Sequence, residues 1–341
     1  MQDMAPVFVV GMPRSGTTLL AGLLNAHSCL AIGPETDYFN LVWKPLERQG
    51  GLAQWPPIAE TLALWFQKPT LRALALPEEL LLRYFYQLFR EGALSHRLIL
   101  ATVLKYYAAT QHKPYWGEKT PNHFMYVPAI KRIFPEAHVI AIVRDPRDVH
   151  LSLSQVPWNR GNAFNHALQW REYREVAARY RELYGERFLE VQFEALIQAP
   201  GKVLQEITAR LGLAFEPQML ERYQQKPLFD PRQEPWKRRA VAPIDPTNRG
   251  KWRHTMTPDE LAIFVAVCGR HLTALGYEAV SGATLNPLTT LRGLDVRSLG
   301  WWMRTKWRLH RYRDPWVARP LTAPACFDDN GGRTPCLGSP S

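Results

Sequence analysis

The stretch Val7-Phe-Val-Val-Gly-Met-Pro-Arg-Ser-Gly-Thr-Thr18 decides how the rest of the chain is read. Its four opening apolar residues have the composition of a strand buried on both faces. A loop bounded by Gly11 and Gly16 follows, and the apolar run from Leu19 to Leu24 then reads as a helix ending near Asn25-Ala-His-Ser28. A strand that passes through a glycine loop into a helix leaves backbone N–H groups unpaired at the positive end of the helix dipole. Such a loop is built to hold an anion.

The kind of anion follows from the side chains. Gly11 and Gly16 keep the spacing of a GxxxxGK[ST] loop, whose lysine reaches the β and γ phosphates of a nucleotide and whose hydroxyl holds Mg²⁺. Here Thr17 stands where that lysine belongs, and the cation has moved back into the loop as Arg14. No acidic strand end with a metal-holding pattern accompanies it. The expected ligand is a phosphate-like group gripped by loop amides, by the hydroxyls of Ser15, Thr17 and Thr18, and by one guanidinium, without a metal.

Outward from the loop, His138-Val-Ile-Ala-Ile-Val143 is a second near-continuous apolar run, and Arg187-Phe-Leu-Glu-Val-Gln-Phe193 is a third strand, preceding a helix over Pro200 to Leu211. Strands alternating with helices predict an α/β fold, a P-loop-type doubly wound parallel sheet flanked by helices. In such sheets ligands sit at the carboxyl ends of the strands, where the Gly11 loop and Arg144 both fall. Residues 41–115, rich in Leu, Trp and Tyr at helical spacing, read as a helical insertion within a domain of residues 1–285. Residues 286–320 form a basic Arg/Trp-rich segment (WWMRTKWRLHRYR), and the Pro, Gly and Ser-rich 321–341 reads as a disordered tail.

Composition narrows the class without choosing the ligand. At 341 residues and 46% hydrophobic content the chain has ample core for a globular domain. The first strand begins within ten residues of the start, which leaves no room for a signal peptide, and no apolar run reaches the roughly 18 residues that span a bilayer. Cys29, Cys268, Cys326 and Cys336 lie far apart with no CxxC pair, so a zinc site or disulfide framework is not indicated and a reducing, cytoplasmic location is expected. A net charge of +11 suits nucleic acid, an acidic membrane surface or a polyanionic small ligand equally.

The loop P-R-S-G-T-T after an apolar strand resembles the 5′-phosphosulfate loop of sulfotransferases that use 3′-phosphoadenosine 5′-phosphosulfate (PAPS). Val143-Arg144-Asp-Pro-Arg-Asp-Val-His-Leu-Ser152 matches the second signature of that family, an arginine at a strand end with a serine eight residues on. The resemblance implies that Arg144 and Ser152 hold the 3′-phosphate, and a guanidinium suits that task because it donates a bidentate, charge-assisted fork.

In the tyrosylprotein and glycosaminoglycan branches a glutamate after the first helix is the base. Gly33-Pro-Glu-Thr-Asp-Tyr38 places Glu35 there, with Asp37 or His27 as substitutes. Trp116-Gly-Glu-Lys-Thr-Pro-Asn-His123 is similar to the EKTP-like segment of those branches, which makes Lys119 the cation for the leaving 3′,5′-diphosphoadenosine (PAP) and leaves His123 as a competing base. Asn248-Arg-Gly-Lys-Trp-Arg253 is similar to the basic loop that closes over the nucleotide, with Arg249 and Lys251 as contacts.

The implied reaction is sulfonate transfer from PAPS to a hydroxyl, with Glu35, Lys119 and Arg14 at the reacting group and no metal. A carbohydrate or small-metabolite hydroxyl ranks ahead of peptide tyrosine, and Trp43, Trp55, Trp65, Tyr84, Tyr86, Tyr106 and Tyr107 could stack such an acceptor. No nucleic-acid partner is expected, and residues 292–319 could touch a membrane surface. The competing readings are a P-loop kinase or nucleotidase, against which Thr17 speaks, and a non-catalytic protein that binds polyanions or membranes through the basic segment.

Overall fold

The computed structural model describes residues 4–159, 161–225, 228–278, 280, 326–327 and 333–334. The chain divides into two units, Met1–Leu294 and Asp295–Ser341. The first begins with β1 (Val7–Gly11), α1 (Thr17–Asn25) and β2 (Leu30–Gly33), then passes through a π-helical turn at Phe39–Trp43. Five helices follow: α2 (Lys44–Arg48), α3 (Trp55–Phe66), α4 (Pro69–Arg72), α5 (Glu78–Arg90) and α6 (His96–Thr110). After β3 (Tyr115–Lys119) and a 3₁₀ turn at Pro121–Tyr126 come α7 (Val127–Ile133), β4 (His138–Val143), α8 (Pro146–Leu153), α9 (Ala163–Tyr184) and β5 (Phe188–Gln192). The unit ends with α10 (Phe193–Gln198), α11 (Pro200–Arg210), α12 (Gln218–Arg222), a 3₁₀ segment at Pro235–Val241, α13 (Trp252–Thr255) and α14 (Pro258–Ala274).

In the second unit, the described part is an antiparallel ladder of β6 (Cys326–Phe327) with β7 (Arg333–Thr334). The expected basic segment 286–320, its membrane contact at 292–319 and most of the expected tail 321–341 lie outside the described residues.

The five strands of the first unit form one all-parallel sheet in the order β2-β3-β1-β4-β5. This is the doubly wound α/β architecture expected, and its centre is the strand that opened the reading. Val7, Val9 and Val10 are fully buried in β1 because helices cover both faces, which is why the run does not alternate with polar residues. α1 is enclosed as well: Leu20, Leu23 and Leu24 pack with Ile140, Ile142, Leu196 and Leu204 in the main core cluster. Removing one such fully buried leucine side chain costs about 2–5 kcal/mol.

The helix starts obey local rules. Ser95 and Asn162 cap α6 and α9 through their side chains, and Thr257 with Glu260 forms a complete capping box at α14, with Pro258 in the first turn. Two short strands carry no signal that sequence periodicity detects. β2 is four residues long, and β3 carries Gly117, Glu118 and Lys119, polar or small residues in a buried central strand. Tyr115, the last residue of the expected insertion, is the first residue of β3, and helix ends at Thr110.

Because every strand is parallel, all carboxyl ends open on one edge. In register, Lys119 lies level with Val9 and Ile142 with Gly11, so β3 delivers its last residue beside the glycine loop and β4 delivers Arg144 on the other side.

Candidate active site

The loop between β1 and α1 depends on glycine at both ends. Gly11 has φ +152° and an added Cβ would lie 2.6 Å from the Ile142 carbonyl oxygen; Gly16 has φ +103° and its Cβ would lie 2.4 Å from the Phe193 ring. Neither approach is possible for a side chain, so the loop folds back tightly over β4 and α10. Arg14 itself takes a left-handed φ of 74°, and the Ser15 N–H donates to the Met12 carbonyl at 3.2 Å. Ser15 is 1% exposed and its hydroxyl has no protein partner, which is costly unless a ligand oxygen supplies one.

On the β4 side a group of cations converges. Arg14 donates through Nε to Ser152 Oγ at 3.0 Å and through Nη2 to the Trp236 carbonyl at 2.7 Å. Arg144 lies over the Phe193 ring at 4.4 Å and donates to the carbonyls of Arg14 and Asn248 at 3.4 and 3.2 Å, while its buried Nε has no partner. Arg239 and Lys251 both donate to Asn248 Oδ1, at 3.1 and 2.6 Å.

The loop that carries Lys251 is fastened by Asp148, which accepts from the N–H groups of Gly250 and Trp252 at 2.6 and 3.2 Å. Burial, then the neighbouring charges of Arg144 and Arg239, lower the affinity of Arg14 for its proton. Lys251 is depressed by burial, Arg239 and Arg144. Cations that depress one another in this way are stabilised by a multiply charged anion.

On the β3 side stands a carboxylate between two ammonium groups. Glu35 Oε1 accepts from Lys119 Nζ, and from Lys237 Nζ at 2.7 Å. Lys119 is fully buried at the end of β3 and lies 3.4 Å from Thr18 Oγ1, so the pair reaches the start of α1. Burial pushes the Glu35 carboxyl up, but the two lysines outweigh it and hold the group at about 2. Lys119 is lowered because burial outweighs the help from Glu35.

Behind this pair Glu118, with no exposed surface, accepts from Thr36 Oγ1 at 2.7 Å and from Thr120 Oγ1, and lies 3.2 Å from His123 Nδ1. Thr36 follows Glu35 and Thr120 follows Lys119, so this one buried carboxylate fastens both neighbouring residues. Burial alone would raise the Glu118 carboxyl; His123 and the two hydroxyls pull it below its ordinary value.

Set against known proteins, residues 6–217 match the model of the Sulfotransferase family. The chain belongs to the sulfotransferase family. The chain is 28% identical over 236 residues to an uncharacterized protein of Aquifex aeolicus, a match covering 65% of the chain and only 27% of the Aquifex protein. It is 26% identical over 226 residues to a putative protein-tyrosine sulfotransferase of Caenorhabditis briggsae, covering 64% of the chain and 69% of that protein. In structure it is similar to the sulfotransferase domain of the Synechococcus PCC 7002 olefin synthase, with a TM-score of 0.57 at 23% identity over 82% of the chain and 98% of that domain. That likeness is one of fold.

The structure brings most of the expected residues to one edge and sets others aside. Arg14, Ser15, Gly16, Thr17 and Thr18 form the loop and the start of α1, Arg144 and Ser152 stand on one side, and Glu35 and Lys119 on the other. Arg249 turns away: with the Gln198 amide oriented to present its oxygen, the guanidinium donates there at 2.5 to 3.2 Å.

The substitute bases are occupied. His27 accepts from the Cys29 N–H at 3.0 Å and bonds the Ala214 carbonyl at 2.9 Å, His123 is buried against Glu118 and the Phe39 N–H, and Asp37 pairs with Lys68 at 2.8 Å. Of the candidate stacking aromatics, Trp65 is core and donates to the Thr36 carbonyl at 2.8 Å, whereas Tyr84 and Tyr86 are exposed.

Sequence reasoning missed Lys237, Arg239, the Trp236 carbonyl and the contacts of Asn248, in a proline-rich stretch of loop and 3₁₀ turn that crosses back over the site. The run Lys237-Arg238-Arg239 was a signal, but nothing local ties it to a loop more than 200 residues earlier. Among the described residues no helix is long and apolar enough to cross a membrane, and no group of three or more His, Cys, Asp or Glu could hold a metal ion.

Proposed function

We propose that this sulfotransferase moves a sulfonate group from PAPS to an acceptor hydroxyl by in-line displacement. The observation that carries the reading is the pairing, at one sheet edge, of two anion-seeking centres, the glycine loop and Arg144, with a carboxylate on the loop's other flank. Ser15 Oγ and Arg144 Nε are buried polar atoms without partners, and a donor with phosphate at both the 3′ and 5′ positions of one ribose supplies oxygens to both. The loop amides, Ser15, Thr17 and Thr18 receive the 5′-phosphosulfate. Arg144, Ser152 and Lys251, with Arg239 beside them, receive the 3′-phosphate; Arg249, bound to Gln198, would have to turn back to join them. Arg14 bonds Ser152 and so links the two ends.

At the reacting centre Glu35 takes the proton from the acceptor hydroxyl, and the fully buried Lys119 neutralises charge developing on the oxygen that links sulfur to the 5′-phosphate. A buried ammonium is suited to this because its attraction for an oxyanion is weakly screened. The acceptor is a carbohydrate or small-metabolite hydroxyl. The likeness to a putative protein-tyrosine sulfotransferase favours peptide tyrosine as the second reading.

Two measurements test this. Thermal shift with PAP against ATP and Mg²⁺ should favour PAP, and preference for ATP would sink the donor assignment. Labelled PAPS incubated with an extract of the host, followed by mass spectrometry of labelled products, identifies the acceptor and separates sugar or metabolite from tyrosine. EDTA should leave the labelling unchanged.

A further inference from the structure

A base has to be basic enough to take its proton, and the two ammonium groups on Glu35 work against that. Both Lys119 and Lys237 donate to its Oε1, Arg14 lies near enough for its charge to be felt, and Lys237 holds Glu234 at 2.5 Å as its other partner. A carboxylate so placed is a weak acceptor for an alcohol or phenol proton. Its main-chain carbonyl is also fixed, by Thr70 Oγ1 at 2.7 Å, so the residue does not simply swing out of reach.

Lys237 arrives from an unusual direction. It belongs to the stretch that supplies the Trp236 carbonyl to Arg14 and the Asn248 carbonyl to Arg144, so one segment touches both anion centres and the carboxylate. The oxygens that would compete best with a carboxylate for two ammonium groups are those of a sulfonate and the phosphate it leaves.

We infer that Lys237 is a further catalytic residue and, with Lys119, a clamp on the base that the donor releases. This rests on the PAPS reading above. In the donor-free enzyme the two lysines hold Glu35; when PAPS enters the loop they move to its sulfonate and bridging oxygens, and the carboxylate is freed. The acceptor O–H then gives its proton to Glu35. The acceptor oxygen bonds sulfur as the bond from sulfur to the 5′-phosphate oxygen breaks, and that oxygen keeps the electron pair beside Lys119. Donor binding therefore precedes productive acceptor binding, and in the donor-free enzyme the base stays masked.

The test needs no acceptor. Affinities for PAPS and PAP, which differ by the sulfonate, are measured by calorimetry in the cold for wild type, Glu35→Gln, Lys237→Met and Lys237→Arg, with thermal melts to confirm folding. Glu35 competes with the donor for the lysines, so Glu35→Gln should bind PAPS about tenfold more tightly, with PAP changed less than about twofold. Lys237→Met should bind PAPS about tenfold more weakly at unchanged PAP affinity, and Lys237→Arg should restore most of it. The inference is overturned if Glu35→Gln binds PAPS no more tightly than wild type. It is overturned equally if Lys237→Met loses PAP and PAPS alike, which would make the lysine a tether for its segment. Wild type that binds neither nucleotide overturns the donor reading and the clamp with it, whereas PAP binding with unshifted PAPS affinities overturns the clamp alone.

Discussion

Replacing Arg144 with methionine separates the two ends of the nucleotide. In the structure its guanidinium stacks over Phe193 and its polar contacts are long, 3.4 and 3.2 Å to two carbonyls and 3.9 Å to Asp148, while Nε makes none. Exchanging these for a phosphate gives up little and gains about two charge-assisted hydrogen bonds, each worth roughly 1.5–3 kcal/mol. Allowing for the desolvation of an arginine that is 7% exposed, a net of about 3 kcal/mol is reasonable, which is about a hundredfold in affinity.

Methionine keeps the apolar contact with Phe193, so the melting temperature should fall by only a few degrees. The assay is calorimetric binding of PAP and of adenosine 5′-monophosphate, which lacks the 3′-phosphate. Arg144→Met should weaken PAP about a hundredfold and the monophosphate less than about threefold, with Arg144→Lys in between because a point charge lacks the fork. Equal losses for both nucleotides would refute the assignment and mark Arg144 as a prop for the loop.

Three further outcomes are expected. Gly16→Ala forces a Cβ to within 2.4 Å of the Phe193 ring at a φ of +103°, so thermal denaturation should show a loss of about 2–4 kcal/mol and PAP binding should fall with it. Glu35 is held at about 2 against an ordinary 4.5, so its favourable contribution is complete above pH 4.5 and is lost as pH falls through about 2. That contribution is at most about 3 kcal/mol and is offset in part by the burial of Lys119, so urea midpoints of Glu35→Gln should vary less with pH than those of wild type between pH 4.5 and the lowest pH at which both fold. Glu118→Gln removes the carboxylate beside His123 and weakens the anchors of Thr36 and Thr120; turnover should drop at least about tenfold while PAP affinity changes less than threefold, and equal losses in both would argue for general unfolding instead.

Several parts of this protein were legible one residue at a time. The Val7–Thr18 stretch fixes a buried strand, a loop that only glycine can turn at positions 11 and 16, and the start of a helix. The apolar run at His138–Val143 places Arg144 at a strand end, and Thr257-Pro-Asp-Glu260 announces its helix with a full capping box. These features are local: φ preferences, caps and apolar runs act over a few residues, so neighbours in sequence suffice to determine them.

β3 escaped that reading because a strand buried among parallel neighbours can carry Gly117, Glu118 and Lys119 when its backbone is satisfied by the sheet and its polar side chains find partners elsewhere. Two of those partners, Thr36 and Glu35, follow β2 and are set by its parallel register with β3 and not by spacing, while His123 comes from the turn just after β3. The crossing of the 228–250 stretch is a tertiary fact in the strict sense. Lys237 meets Glu35 across 202 residues, and Arg239 and Lys251 share one asparagine oxygen beside Arg144, because a segment held locally by little more than the 3₁₀ turn Pro235–Val241 finds its place only against a surface already folded. The sequence by itself determined which anion-binding parts the chain possesses. Only the tertiary structure decided that Glu35 and its two lysines stand together, since charges separated in the chain interact only once the fold has closed the distance between them.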